Sequence, residues 1–310
     1  MPNTKVIKNH INSVKNTQKI TNAMYLIAST KLQKAKAELE SVRPFFEAME
    51  FAIRRIFEHR ASVESMYFYP LTGRKPAERY AYLVITADKG LAGPYNSNVI
   101  KASEEEMRIH KKTTLYVVGE YGRHHYKKQG IPIAESFPYT AQNPTFRRAR
   151  DIAATLLYAY QSGQADEVRV IYSTVENGLE AKVRVERILP FERSDFAGAK
   201  VPESRFHSIP AKESHDDFEF LPNAGAVLDS LVPGYVAAYV YGTLMESYCS
   251  EQNARMTAMS AANDNAEKLL SDLTLEYNRE RQAAITQEIT EVAAGAKAQK
   301  KKRKKEAARK

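Results

Sequence analysis

The sequence predicts an α/β unit inserted between two long helices that pair antiparallel as a coiled coil. Three observations carry this. Apolar positions spaced alternately four and three apart run through both chain ends, strand-like and helix-like segments alternate in the middle, and the end helices are too long for the middle to cover.

The first helix is expected over residues 1–60. The stepped positions are Ile7, Ile11, Val14, Gln18, Thr21, Tyr25, Ala28, Leu32, Ala35, Leu39 and Val42, of which only Gln18 and Thr21 are polar. That is a heptad seam. Ile20, Met24 and Ile27 form a second stripe beside it, which implies a further neighbour. Pro44 should kink the helix or mark a boundary.

The middle, residues 78–191, reads as α/β. Strands are expected at Tyr80–Thr86, Thr114–Val118, Val168–Tyr172 and Lys182–Leu189, with helices near Val99–His110, Tyr121–Gln129 and Thr145–Gln161. Residues 192–223 hold Pro202, Pro210 and Pro222 and read as a loop region, with a short extended piece over Asp217–Phe220.

The last helix is expected over residues 224–295. Its steps from Leu231 are Tyr235, Ala238, Gly242, Met245, Cys249, Gln252, Met256, Met259, Asn263, Ala266, Leu270, Leu273 and Tyr277. At about 1.5 Å per residue this helix is about 95 Å long and the first about 80 Å. An α/β domain of ~110 residues is about 30 Å across. Each seam therefore needs the other helix as its cover. The longer C-terminal helix should protrude alone, with Ile285, Ile289 and Val292 exposed at its tip, which implies a partner that surrounds it.

Composition agrees with a globular chain: 43% hydrophobic and 27% charged, with no apolar run of membrane-spanning length. One cysteine, Cys249, fits a reducing compartment. The start, Met1 to Thr4, has no apolar signal core and no Arg/Ser-rich leader. The net charge is +9. Residues 297–310 hold nine Lys or Arg against Glu306, so this tail (296–310) carries nearly all of it. A nucleic-acid footprint would spread over a folded face; a terminal block reads as a solvated, mobile tail.

Two terminal blocks resemble the signatures of the gamma subunit of the rotary F-type ATP synthase. They are Ser13–Met24 with Ala28–Ala35, and Ser250–Met259 followed by Asp264–Ala266, Leu273–Asn278, Arg281–Ile289 and Gly295. Asp88-Lys89-Gly90-Leu91-Ala92-Gly93 is similar to the family's central motif. The resemblance is dense over about a third of the chain. It implies a coiled-coil shaft with a Rossmann-like domain inserted, and no catalytic residue, cofactor or metal. Its implied partners are a hexamer of alternating alpha and beta subunits, the epsilon subunit and the c-subunit ring. The implied place is the cytoplasmic face of a bacterial plasma (inner) membrane, without a span of its own. The role is to couple transmembrane ion flow to the conformational cycle of the beta subunits.

Residue by residue, Arg281, Gln282, Thr286 and Glu288 match the segment that binds a catch loop on beta. An arginine fork suits a carboxylate there; the bland alternative is an ordinary exposed helix face. Lys19, Met24 and Arg255 match shaft contacts, against solvation for Lys19 and core packing for Met24. Phe218, Glu219 and Phe220 resemble the foot that faces the c ring and epsilon. The Asp88–Gly93 motif lacks the phosphate-loop pattern and reads as turn chemistry from Gly90 and Gly93. His124-His125 lacks a carboxylate or cysteine at metal-binding spacing. The tail, absent from most of the family, is expected to leave the far opening of the barrel and lie mobile or on acidic surface.

Two other classes fit less well. An α/β enzyme with helical arms would need a convergent acid, base or nucleophile at strand ends. A coiled-coil nucleic-acid binder would use the tail and lose salt-dependent binding without it.

Overall fold

The computed structural model describes residues 2–59, 62–70, 73, 76–134, 136–176, 180–196 and 219–307. In chain order the elements are α1 (Pro2–His59), β1 (Arg79–Ile85), α2 (Tyr95–Ile109), β2 (Lys112–Val118), α3 (Glu120–Lys128), α4 (Phe146–Gln161), β3 (Glu167–Glu176), β4 (Glu180–Leu189), a 3₁₀ turn (Arg193–Phe196) and α5 (Ala224–Ala307).

The length of α1 follows from composition. It contains no glycine, and strong helix formers fill its exposed positions. The helix passes through Pro44, so no boundary falls there; that residue is exposed, and water can satisfy the carbonyl its missing N–H leaves open. α5 starts behind Pro222, where Asn223 Oδ1 accepts the Ala226 N–H at 2.9 Å as an N-cap. It runs to Ala307 rather than ending near Gly295, so the expected mobile tail is helical over 296–307. The run is built from Ala, Lys, Gln, Arg and Glu, the best helix formers, and their propensity continues the helix after the seam has ended. The extended piece expected at Asp217–Phe220 is not a strand where it can be judged: Asp217 and Phe218 lie outside the described residues, and Glu219 and Phe220 carry no regular structure.

The chain divides into two compact units, residues 1–26 with 257–310, and residues 27–256. The first holds two helical segments, with Ile7, Met259 and Leu273 buried. The Thr21 hydroxyl hydrogen-bonds the side-chain oxygen of Asn263. Each is a polar position in its helix's seam, and a polar pair inside an apolar seam fixes register.

The second unit is built on a four-stranded sheet in the order β2-β1-β3-β4. β1 runs parallel to β2 and β3, while β4 closes the sheet antiparallel to β3. The pleat sends alternate β1 side chains to opposite faces. Tyr82 and Val84 pack with Val99 and Ile100 of α2 and Tyr126 of α3. Ala81, Leu83 and Ile85 join the main core with α4, the second half of α1 and the first half of α5. In this unit α1 and α5 run antiparallel. Phe46 stacks on Tyr235 with ring centroids 5.0 Å apart, and farther along the chain the Ser65 hydroxyl donates to Asp229 at 2.6 Å. Every stepped position named above, in α1 and in α5, is buried or half-buried.

Candidate functional site

The stretch of chain from Thr86 to Tyr95 is fixed by backbone geometry before it meets any partner. At the end of β2, Gly119 has φ +96°, and a Cβ there would lie 2.2 Å from the Thr86 carbonyl oxygen, so only glycine fits. Asp88 then organises the turn. Its carboxylate accepts from the backbone N–H of Glu120 (3.1 Å), Ala141 (3.0 Å) and Gln142 (3.0 Å), tying three segments together. The left-handed residues of the motif are Leu91 (φ 63°) and Gly93 (φ 53°) rather than Gly90 and Gly93. Leu91 carries that conformation at the tip with its side chain exposed.

This loop rests on α5. Ala87, Ala92 and Tyr95 form a small apolar cluster against Ala254. Arg255 donates through Nη2 to the Gly90 carbonyl at 3.2 Å and pairs through Nη1 with Glu251 at 2.7 Å. Glu251 is only 3% exposed. Burial raises its carboxyl above the ordinary range, and the Arg255 charge pulls it back. Arg255 thus holds an internal bond. Lys19 is exposed and Met24 half-buried on α1.

On the distal part of α5, Arg281, Gln282, Thr286 and Glu288 are all exposed. Thr286 donates to its own helix, to the Gln282 carbonyl at 2.9 Å. Among the described residues the side chains of Arg281, Gln282 and Glu288 have no hydrogen-bond or ion-pair partner in the chain. Arg281 and Glu288, seven apart, share a face. Ile285, Ile289 and Val292 beside them are exposed at 46%, 64% and 74%. An apolar strip flanked by unengaged charges is the composition of an interface. Of the residues assigned to the foot, Phe218 lies outside the described residues, Glu219 is exposed, and Phe220 packs partly against the main core.

Two features escaped the sequence reading. His125 Nε2 meets Glu104 of α2 at 3.0 Å, a carboxylate brought across from another helix that chain spacing could not reveal. The second is a row of hydroxyls on α5 that face the sheet domain. Among the described residues no group of three or more His, Cys, Asp or Glu could hold a metal ion, and no helix is long and apolar enough to cross a membrane.

A family profile described as ATP synthase matches residues 3–299. The chain is 41% identical over 291 residues to the ATP synthase gamma chain of Caldanaerobacter subterraneus subsp. tengcongensis, covering 92% of this chain and 96% of that relative. The chain belongs to the ATP synthase gamma chain family. A sodium ion specific ATP synthase gamma chain of Acetobacterium woodii is 35% identical, covering 96% of this chain and 98% of the relative. Among solved structures, a chain of the Euglena gracilis mitochondrial ATP synthase superposes with a TM-score of 0.64 at 17% identity, covering 96% of this chain and 94% of that one. A Tetrahymena thermophila central-stalk chain gives 0.56 at 24% identity, covering 78% and 99%. These two likenesses show the fold. The family profile ends at residue 299, inside the basic tail.

Proposed function

We propose that this chain is the central rotor shaft of an F-type ATP synthase, non-catalytic itself, which couples ion flow through a membrane ring to the nucleotide cycle of surrounding subunits. The observation that carries the reading is the family membership joined to two end helices whose seams cover each other, leaving an exposed apolar and charged strip near the tip.

The mechanism is a population shift. Chemically identical beta subunits meet different sides of an asymmetric shaft, and each contact pattern favours one conformation and hence one nucleotide affinity. Rotation moves the favoured conformation to the next subunit. The shaft needs stiffness, asymmetry and polar catches. Arg281, Gln282, Thr286 and Glu288 are the catch toward beta; their exposure and the lack of internal partners for Arg281, Gln282 and Glu288 support this. Lys19, Met24 and Arg255 are shaft contacts, and Arg255 also holds the Gly90 loop. Phe218, Glu219 and Phe220 form part of the foot toward the c ring and epsilon. The complex is placed at the cytoplasmic face of a bacterial inner membrane, with this chain peripheral to it.

Reconstitution tests the reading. Mixed with alpha and beta subunits, one copy of this chain is expected to enter each hexamer and restore cooperative ATP hydrolysis, and Arg281→Ala is expected to lower that turnover without unfolding the chain. Failure of the wild-type chain to enter the hexamer contradicts the shaft role.

A further inference from the structure

The coiled-coil seam of α5 accounts for one side of the helix. Another stripe runs along Tyr239, Thr243, Ser247, Ser250 and Ala254, about 140° round the helix from the seam at 100° per residue. It is turned toward the sheet domain, and it is unusually polar for a buried contact. Ser247 and Ser250 are both 0% exposed. The Ser247 hydroxyl lies 2.7 Å from Tyr95 Oη on α2, and the Ser250 hydroxyl 2.8 Å from Ser173 Oγ on β3. Tyr239 donates at 2.6 Å to Glu186 on β4, which also accepts from Tyr172 at 3.0 Å. Arg255, one residue beyond the stripe, adds its bond to Gly90. Four separate parts of the domain thus grip one helix through hydrogen bonds.

We propose that the buried hydroxyl pairs of Ser247 and Ser250 are the key that locks the sheet domain to α5, and that these two serve the coupled reaction as positioning residues by preventing slip under torque. This rests on the rotor reading. Apolar contact is non-directional, so a helix on an apolar bed is held in register by the shape of its packing alone. Hydroxyl pairs are directional and buried. A slip of one residue moves α5 by about 1.5 Å and turns it by about 100°, which separates every pair at once and leaves buried donors unmet. The seam toward α1 has its own register pair, Thr21 with Asn263, in the other compact unit, and the α5 stripe supplies one against the sheet domain. A domain that takes up torque from a ring and hands it to a helix needs an interface with one register.

The test uses the full complex reconstituted in liposomes, reading ATP hydrolysis and ATP-driven membrane potential with a voltage-sensitive dye. The quadruple variant Tyr95→Phe, Ser247→Ala, Ser173→Ala, Ser250→Ala removes both members of each hydroxyl pair. No orphaned polar group remains, so folding stability is expected to stay near wild type. Hydrolysis is expected to persist while the potential generated per ATP falls several-fold. An unchanged ratio in an assembled variant overturns the proposal. A second variant, Ser173→Cys with Ser250→Cys, covers the case in which the first fails to assemble. Once peptide mapping confirms the bridge, the oxidised complex is expected to couple as well as the wild type. Loss of coupling on oxidation that reverses on reduction shows that the domain must move over α5, and this also overturns the proposal. If the wild-type chain fails to couple at all, the rotor reading fails and not this inference alone.

Discussion

Removing the Arg255 side chain should damage the loop contact in a way that depends on pH. Arg255→Ala takes away the Gly90 bond and leaves Glu251, 3% exposed, without its counter-charge. Breaking a buried ion pair from one side commonly costs about 3–5 kcal/mol. Here the carboxyl has an escape, since burial already raises its pKa and it can take up a proton. Taking up that proton at pH 7 costs at most about 1.4 kcal/mol per unit above an ordinary carboxyl near 4.5, or about 3.4 kcal/mol. The lost Gly90 bond adds about 1 kcal/mol. A loss of up to about 4.4 kcal/mol is therefore expected near neutral pH. In the variant the folded carboxyl binds its proton more tightly than the unfolded one. The unfolded state then holds fewer protons, and stability rises as pH falls toward about 5. Urea unfolding of the full chain followed by far-UV circular dichroism measures both effects. Arg255→Ala with Glu251→Gln, which has no charge to strand, should recover most of the loss and show no comparable pH slope. A loss that is flat with pH, or a double variant no more stable than the single one, refutes the reasoning.

Other expectations follow from single contacts. Gly119→Ala should destabilise the sheet domain by more than about 2 kcal/mol, because the new Cβ meets the Thr86 carbonyl and the φ is left-handed; thermal unfolding checks it, and a neutral result removes the steric argument. Asp166 clamps the start of β1 through the Arg79 guanidinium (2.6 Å) and the backbone N–H groups of Arg79 and Glu78, which lowers its pKa to about 2. Its stabilisation is present above the ordinary carboxyl range and is lost as pH falls from about 4 toward 2. Partial exposure limits it to about 1 kcal/mol. Asp166→Asn should therefore lose about that much at neutral pH and converge with the wild type in acid, as an acid titration of stability would record.

The heptad seams were legible because burial of one helix stripe leaves a period in the sequence that survives without any knowledge of the partner. The positions from Ile7 to Val42 and from Tyr235 to Tyr277 all end up covered to some degree. Two polar positions in the seams, Thr21 and Asn263, meet each other. The strands of the middle were legible from β-branched and aromatic runs, although β3 and β4 each extend beyond the segments expected. Arg281 and its neighbours were singled out by resemblance alone, since nothing in their spacing separates them from any exposed helix face.

What stayed hidden depends on groups brought together only by folding. The hydroxyls at Ser247 and Ser250 look like ordinary small helix residues until Tyr95 and Ser173 arrive from distant parts of the chain. Asp88 looked like part of a turn, and its grip on Ala141 and Gln142 has no local signal. The end of the last helix was hidden for a different reason. Charge density argued for mobility, whereas the intrinsic propensity of Ala, Lys, Arg and Glu carries the helix on to Ala307.

The central claim is mechanical, and motion tests it most directly. With the alpha and beta subunits fixed to a surface and a probe attached to the sheet domain of this chain, ATP should drive steady rotation in one direction, pausing at equivalent angles as each beta subunit takes its turn. Hydrolysis of ATP by the same assemblies while the probe stays still, or swings without direction, would contradict the shaft role.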